Sequence, residues 1–170
     1  PFSVLDGRQV AWLERKREWR KRIGDWAQER DEVKTYNNSA TNDKSRYKKN
    51  GIMPSEASIL DPVLSEVIVK WFAPTGGKCF DNFAGDTVFG YVSATMGMQF
   101  TGIELRQEQC DFNSDRVQGL DATYICDDGR NVLDHIDKQS QDLYFSCPPY
   151  YDLEVYSDDE RDVSNQETYE

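Results

Sequence analysis

The sequence predicts an α/β protein with a parallel sheet, and three observations favour that fold class. From residue 59 onward, short segments rich in aromatic and β-branched residues alternate with helical segments, as in sheets whose strands are joined by crossover helices. Hydrophobic residues make up 38% of the 170 residues, which is enough for one core. The mean hydropathy of -0.77 indicates that long solvated segments accompany this core.

The first segment, residues 7–34, contains no proline and is predicted to form a helix. Its apolar residues recur at helical spacings, at Trp12, Trp19, Ile23 and Trp26. Two interpretations stay open: an amphipathic helix docked on the core with a solvated basic face, or a nucleic-acid contact. The residues that would make such a contact share this helix and a positive charge: Arg15, Lys16, Arg20 and Lys21.

Charge is distributed unevenly along the chain, whose formal net charge is -11. Residues 1–50 hold 13 of the 20 Lys and Arg but only 8 of the 31 Asp and Glu, so they carry about +5 and the remainder about -16. Phosphate binding depends on Lys and Arg, so any contact with DNA is expected in this first third.

Residues 35–58 are rich in Asn, Ser, Thr and Lys and are predicted to be a polar linker or loop. The segment 60–74 begins with Asp61-Pro62, a capping residue and a proline suited to a first helical turn, so a helix is predicted there. The chain is thereby divided into a basic helical segment (1–34), the linker (35–58), a core (59–151) and an acidic stretch (152–170).

The core is predicted to hold four strands and the helices between them. Strands are expected at 78–83, 98–105, 122–128 and 142–150. Helices are expected at 87–96 and 106–120, with a short helix or turn at 131–137. Ligands of parallel α/β sheets bind at the carboxyl ends of the strands, so the residues at these ends are the candidates for function.

Three of the four strand ends carry acidic residues. The first end reads Asp81-Asn82-Phe83-Ala84-Gly85, where the glycine permits close approach of a ligand, but the G-x-G-x-x-G fingerprint for a diphosphate is absent. Glu104 ends the second strand at about the interval after Asp81 at which an acid meets ribose hydroxyls. Asp127 and Asp128 end the third strand and offer acceptors to an adenine amino group. Together they predict a site for a nucleoside without a diphosphate.

The fourth end, Ser146-Cys147-Pro148-Pro149-Tyr150, is the most specific motif. Two prolines cannot continue a strand ladder, so they fix a rigid exit that carries an aromatic ring. A plain turn or a polyproline ligand for a partner domain is the alternative interpretation.

These motifs resemble those of DNA amino-methyltransferases that depend on S-adenosylmethionine (SAM), particularly the phage and prophage group. DNFAGD at 81–86 is similar to the family's D-P-F-A-G-x-G loop, and SCPPY at 146–150 is similar to its D/N/S-P-P-Y/F catalytic motif. Segments 1–19, 58–81 and 150–165 are also similar, so the likeness covers most of the chain except the linker.

The resemblance implies a Rossmann-like methyltransferase sheet with SAM across the first three strand ends. Glu104 would hold the ribose, and Asp127 or Asp128 would face the adenine. The residues implied to line the methionine and sugar lie in one loop: Asp81, Phe83, Ala84 and Gly85. Ser58 and Asp61 look like the motif that closes over the methionine moiety.

The implied reaction is methyl transfer from SAM to N6 of adenine or N4 of cytosine in DNA. Acceptors that bind the hydrogens of an exocyclic amine localise its lone pair toward the methyl group. The implied catalytic residues all belong to one motif, with Tyr150 stacking on a flipped base: Ser146, Cys147, Pro148, Pro149 and Tyr150. Two alternatives remain: a non-catalytic DNA-binding or interaction module of the same fold, and an RNA or protein-glutamine methyltransferase.

The chain departs from the family at two motif positions and in its length. Cys147 stands where the family usually has Asp, Asn or Ser, and Asp86-Thr87 stands where it keeps small residues. The sheet looks truncated after the fourth strand, whereas the family has seven, so a missing C-terminal half or a second chain is expected to complete it.

Cysteine spacing and hydropathy indicate whether a metal ion or a membrane is a partner. The four cysteines include no C-x-x-C pair and the chain has one histidine, so no metal site is predicted. No signal peptide is visible, nor any apolar run of roughly 20 residues, so a cytoplasmic protein without a membrane partner is expected. The start at Pro1 suggests a processed or partial chain.

Overall fold

The computed structural model describes residues 5–24, 60–148 and 159–165. The chain separates into two compact units. The described residues of the first unit are 5–24 and 60–146, and those of the second are the remaining ones, including a short 3-10 helix at Val163–Asn165. The predicted linker lies outside the described residues.

The first unit contains a parallel four-stranded sheet, which confirms the predicted fold class. Its strands, numbered β1 to β4 along the chain, are Lys78–Asp81, Gln99–Glu104, Ala122–Cys126 and Leu143–Tyr144. They lie in the order β3-β2-β1-β4, which is the order of the first four strands in a doubly wound sheet. The chain progresses outward from β1 to β3 and then crosses back to β4. The topological switch point therefore lies between β1 and β4.

Five helices accompany these strands in the described part of the first unit. Numbered α1 to α5 along the chain, they are Val10–Ile23, Pro62–Phe72, Val88–Thr95, Gln107–Arg116 and Val132–His135. The start of α2 follows the predicted signal, because the Asp61 carboxylate accepts a hydrogen bond from the backbone N–H of Val63 at 2.9 Å. None of the helices in the described ranges is long and apolar enough to cross a bilayer.

The elements are shorter than predicted, and the difference is largest for α1 and β4. Helix α1 ends at Ile23 instead of continuing to residue 34, because Gly24 adopts a φ of 89° and leaves the helical path. Residues 25–34 lie outside the described ranges. Strand β4 spans two residues instead of 142–150, because its partner β1 ends at Asp81 and Pro148 has no N–H to donate.

The core forms where the helices pack on the sheet. Cys79, Phe100 and Tyr124, from three neighbouring strands, are buried together with Phe89 of α3. Gly90 permits this packing, since a Cβ atom there would overlap the Tyr124 hydroxyl and the Phe100 ring. The Tyr124 hydroxyl also donates to the carbonyl of Thr87 at 3.3 Å, so the residue before α3 lies against β3.

Helix α1 docks on α2 through a buried acid. The carboxylate of Glu66 accepts hydrogen bonds from the indole of Trp19 at 2.6 Å and from the guanidinium of Arg15 at 2.7 Å. Lys70 adds a third bond at 2.6 Å. Burial alone would raise the pKa of Glu66, but these hydrogen bonds outweigh burial and lower it to about 2. The Trp and Arg spacing in α1 thus serves docking to the core.

Candidate functional site

Side chains at the carboxyl ends of the strands meet beside the switch point. The hydroxyl of Ser146, which follows β4, donates to Asp81 Oδ1 at 2.6 Å, and Asp81 ends β1. The N–H of Gly85 donates to Glu104 Oε2 at 3.0 Å, which joins the loop after β1 to the end of β2. In open α/β sheets this crevice is where ligands bind. The structure therefore brings the first, second and fourth strand ends together.

The loop after β1, residues 81–86, is called here the glycine loop. The Asp81 carboxylate accepts the N–H of Phe83 at 2.9 Å, and the N–H of Ala84 donates to the carbonyl of Ile103 at 2.9 Å. Gly85 has a φ of 49°, in the left-handed region that favours glycine. The loop is thus held against β2.

Asp81 is a buried carboxyl group with a strongly perturbed pKa. Its exposed fraction is 5%, and burial raises its pKa to about 6 although the hydrogen bonds from Ser146 and Phe83 act in the opposite direction. The charge of Glu104 raises the pKa further. Both hydrogen-bond donors are neutral, so a cation placed beside Asp81 would stabilise its ionised form.

Glu104 is held by backbone groups in a way that leaves room for hydroxyl donors. Its Oε1 accepts the N–H of Arg106 at 3.0 Å, while Oε2 accepts that of Gly85. Burial raises the pKa of Glu104, and the Arg106 contacts oppose this. A carboxylate has about four lone-pair positions, so two remain after these bonds. That number matches the two hydroxyls of a ribose.

The two acids at the end of β3 have different surroundings. Asp128 is buried and forms a bidentate pair with Arg130, whose nearest contact is 2.6 Å. Asp127 is about a quarter exposed and is held by His135 Nε2 at 2.6 Å and by Asn131 at 3.1 Å. The hydrogen bond from His135 is the main cause that lowers the pKa of Asp127. Asp127 is therefore an ionised acceptor with access to solvent.

Asn82 is a site residue that the sequence reasoning missed. Its Nδ2 donates to the carbonyl of Gly129 at 2.9 Å, and its Oδ1 accepts the hydroxyl of Tyr144 at 2.7 Å. It therefore ties the third and fourth strand ends to the glycine loop. Asn82 stands where the related motif has proline, so the departure itself was the signal that could have found it.

Other predicted site residues lie elsewhere or outside the described ranges. Asp61 caps α2 and binds Lys16 at 2.7 Å and the Trp12 indole at 3.3 Å, so the structure places it at the contact between α1 and α2. Cys147 and Pro148 are exposed and belong to the second unit. The residues outside the described ranges are Ser58, Pro149 and Tyr150.

The four basic residues predicted to contact DNA fall into two pairs. Arg15 binds Glu66 and Glu18, and Lys16 binds Asp61, so both are engaged in docking α1 on the core. Arg20 and Lys21 are exposed near the end of the helix. Of the four, this pair is the one whose exposure would allow contact with a phosphate backbone.

The chain shows partial similarity to solved methyltransferases. A TehB-like SAM-dependent methyltransferase from Corynebacterium glutamicum is 22% identical over 49% of this chain and 43% of its own, with a TM-score of 0.42. A SAM-dependent methyltransferase from Agrobacterium tumefaciens is 14% identical over 54% and 33%, with a TM-score of 0.45. A protein-L-isoaspartate O-methyltransferase is 20% identical over 57% and 32%, with a TM-score of 0.41.

This chain thus spans less than half the length of each of these three proteins. No protein-family model and no curated protein matches it. Such short and distant overlaps assign no activity.

Proposed function

We propose that the chain binds SAM at its strand ends and forms the cofactor-binding part of a DNA amino-methyltransferase. The observation that carries this proposal is a pair of acids at adjacent strand ends, with Gly85 between them in sequence: Asp81, which is buried, and Glu104, whose side chain is 11% exposed. Their position beside the switch point is where a doubly wound sheet binds nucleotides. The absence of a diphosphate fingerprint favours a nucleoside with a different substituent.

The charge of the site supports a cationic nucleoside. Asp81 is held by two neutral donors, and the nearby charge of Glu104 makes its ionisation more costly. A positive ligand relieves that cost, whereas a phosphate would add to it. When bound, SAM supplies a sulfonium that is both positively charged and the source of the methyl group.

Each part of SAM has a complementary group at the site. Glu104 accepts hydrogen bonds from the ribose hydroxyls through its two remaining lone-pair positions. Asp127, which is more exposed than Asp128, accepts a hydrogen bond from the adenine amino group. The residues that line the methionine and sugar are those of the glycine loop, namely Asp81, Phe83, Ala84 and Gly85.

The substrate proposed is an exocyclic amine, N6 of adenine or N4 of cytosine, on a base flipped from DNA. The hydroxyl of Ser146 donates a hydrogen bond to Asp81, so its lone pairs remain available to accept one beside the switch point. The family resemblance assigns the role of second acceptor to the carbonyl of Pro148 and the role of stacking on the base to Tyr150. Because Cys147 is a weak acceptor, Ser146 takes over part of the role that the family gives to that position.

A non-catalytic module that keeps SAM or DNA binding without turnover is the second candidate. The observation that favours it is the exposed thiol of Cys147 at the position of a stronger acceptor. It predicts binding of SAM with no transfer of the methyl group.

The proposal is tested by measuring SAM binding by calorimetry and then transfer of a tritiated methyl group to DNA, RNA and protein. Binding together with transfer to DNA is expected. Tyr150→Ala should lower transfer at least tenfold, since stacking of one base contributes roughly 1–3 kcal/mol, and should leave SAM affinity nearly intact. Labelling of RNA or protein instead would reassign the substrate, and binding without any labelling would select the non-catalytic module.

We further propose that Arg20 and Lys21 contact the DNA backbone. Replacing both with Ala is expected to reduce the slope of log affinity against log salt by about 1–2, because each phosphate contact contributes about 0.9. Binding to a fluorescent duplex at several salt concentrations measures this. Lys138→Ala removes an exposed charge outside α1 and should leave the slope unchanged. An unaltered slope in the double variant would leave α1 with its docking role alone.

A further inference from the structure

We propose that Asn113 is a positioning residue that fixes the glycine loop for the cofactor. This inference rests on the proposed function and deepens it, because it identifies what holds the SAM-binding loop from behind. Asn113 lies on α4 and is completely buried, with an exposed fraction of 0%. Its Nδ2 donates to the carbonyl of Gly85 at 2.8 Å.

Both backbone polar groups of Gly85 are held by side chains, one from β2 and one from α4. Its N–H donates to Glu104 at the end of β2, and its carbonyl accepts from Asn113 on α4. Gly85 has no side chain of its own to fix it, and its φ of 49° lies in a region that glycine enters and leaves freely. The position of this backbone therefore depends on these two hydrogen bonds.

The orientation of the Asn113 amide is determined by its neighbours. Its Oδ1 accepts the hydroxyl of Thr87 at 2.6 Å and the side-chain amide of Gln109 at 2.8 Å. Because these bonds occupy the oxygen and the Gly85 carbonyl can only accept, the Nδ2 group must face the loop. Thr87 starts α3, so the same amide joins the loop, α3 and α4.

These hydrogen bonds form a closed ring that includes Glu104, the acid proposed to bind the ribose. The N–H of Arg106 donates to Glu104, and the Arg106 guanidinium donates to Gln109 at 3.2 Å. The side-chain amide of Gln109 donates to Asn113 Oδ1, and Asn113 Nδ2 donates to the carbonyl of Gly85. The N–H of Gly85 donates to Glu104, which completes the ring. Displacing Gly85 therefore breaks a bond to Glu104 as well, so the loop and the acid hold a common geometry before any ligand arrives.

The Asn113→Asp variant removes the donor to Gly85 and keeps an oxygen for Thr87 and Gln109. At pH 8 its carboxylate would face the Gly85 carbonyl, so SAM affinity is expected to fall at least tenfold. Burial favours the protonated carboxyl group, which would donate its O–H to Gly85, so the loss relative to wild type should shrink as the pH is lowered to 6. Asp81 on the loop and Glu104 on β2 are the acids nearest this position, so wild type is measured at the same two pH values.

Exchange of the Gly85 amide hydrogen, measured by NMR without ligand, gives a readout that does not need SAM. It should accelerate at least tenfold in Asn113→Asp at pH 8, relative to wild type, while the amide of Ile103 in β2 stays protected. Asn113→Leu, which has no donor at any pH, should show the same acceleration without recovery. If Asn113→Asp fails to fold, Gly85 exchange is measured in Asn113→Leu instead.

Val63→Ala is the matched control, since it removes buried volume from α2 in the apolar cluster of Trp19 and Ile23, which does not include a residue of the loop. It should lower thermal stability and leave SAM affinity and Gly85 exchange unchanged. Equal SAM affinity and equal Gly85 exchange in wild type and both Asn113 variants would overturn the role of Asn113. Failure of wild type to bind SAM would overturn the proposed function, and the exchange measurement would still decide the role of Asn113.

Discussion

Glu104→Ala is expected to weaken SAM binding by at least 100-fold. The wild-type carboxylate has two lone-pair positions beyond those used by Gly85 and Arg106, and the ribose hydroxyls would occupy them. A hydrogen bond to a charged group contributes about 1.5–3 kcal/mol, so the loss of two amounts to roughly 3–6 kcal/mol. The variant also frees the Gly85 N–H, which loosens the loop. Calorimetric titration with SAM measures the effect.

Glu108→Ala provides the matched control for this experiment. Glu108 is an exposed acid in the first turn of α4, four residues after Glu104. Its removal changes the net charge by the same amount without touching the strand ends. SAM affinity should stay within about twofold of wild type, because exposed charges at a distance are screened by salt. A similar loss in both variants would show that net charge, and not the ribose contact, determines affinity.

The sheet and its strand ends were predictable because they depend on local signals. Each strand is a short apolar run that stops at polar residues, and the alternation with helices determines a parallel arrangement. The parallel arrangement in turn brings the residues at the carboxyl ends to one edge, which is why Asp81, Gly85 and Glu104 were identified from sequence alone. Their contacts in the structure follow from that topology.

The polar residues that support the site were not predictable in the same way. Asn113 carries no local signal, since a single Asn in a helix is common, and Asn82 differs from its surroundings only as a departure from the family motif. Their roles arise from tertiary contacts between segments 47 and 28 residues apart in sequence. Thr87 was identified only as a departure from the family, and the structure shows that its hydroxyl binds the Asn113 amide.

The charge pattern of α1 did not show which basic residues hold this helix on the core and which would contact DNA. Arg15 and Lys16 belong to the same basic run as Arg20 and Lys21, yet the first pair binds acids of α2 and of its N-terminal cap. Those acids, Glu66 and Asp61, lie about 50 residues away in sequence. A basic face of a helix therefore predicts an acidic partner, and only the fold identifies whether that partner is internal.

Asp81→Asn is expected to raise the stability of the ligand-free protein at pH 7 by up to about 3 kcal/mol. The pKa of Asp81 is raised from 3.8 to about 6 by burial, so the folded state binds its proton more tightly than the unfolded state. The stability from this proton is fully present below pH 3.8 and is lost as the pH rises through about 6. A difference of about two pKa units corresponds to roughly 3 kcal/mol. Asn keeps an acceptor for Ser146 and Phe83 without the buried charge.

Chemical denaturation at pH 4 and pH 7 measures this effect. The two proteins should have nearly equal stability at pH 4, and the variant should be more stable at pH 7.

The same substitution should weaken binding of SAM more than that of S-adenosylhomocysteine, because the latter lacks the sulfonium charge that ionised Asp81 attracts. Asp142→Asn, at an exposed acid before β4, should change neither the pH dependence nor the ratio of the two affinities. We infer that ionisation of Asp81 lowers the free energy of unfolding of the ligand-free protein. An Asp81→Asn variant that is less stable than wild type at pH 7 would contradict this inference.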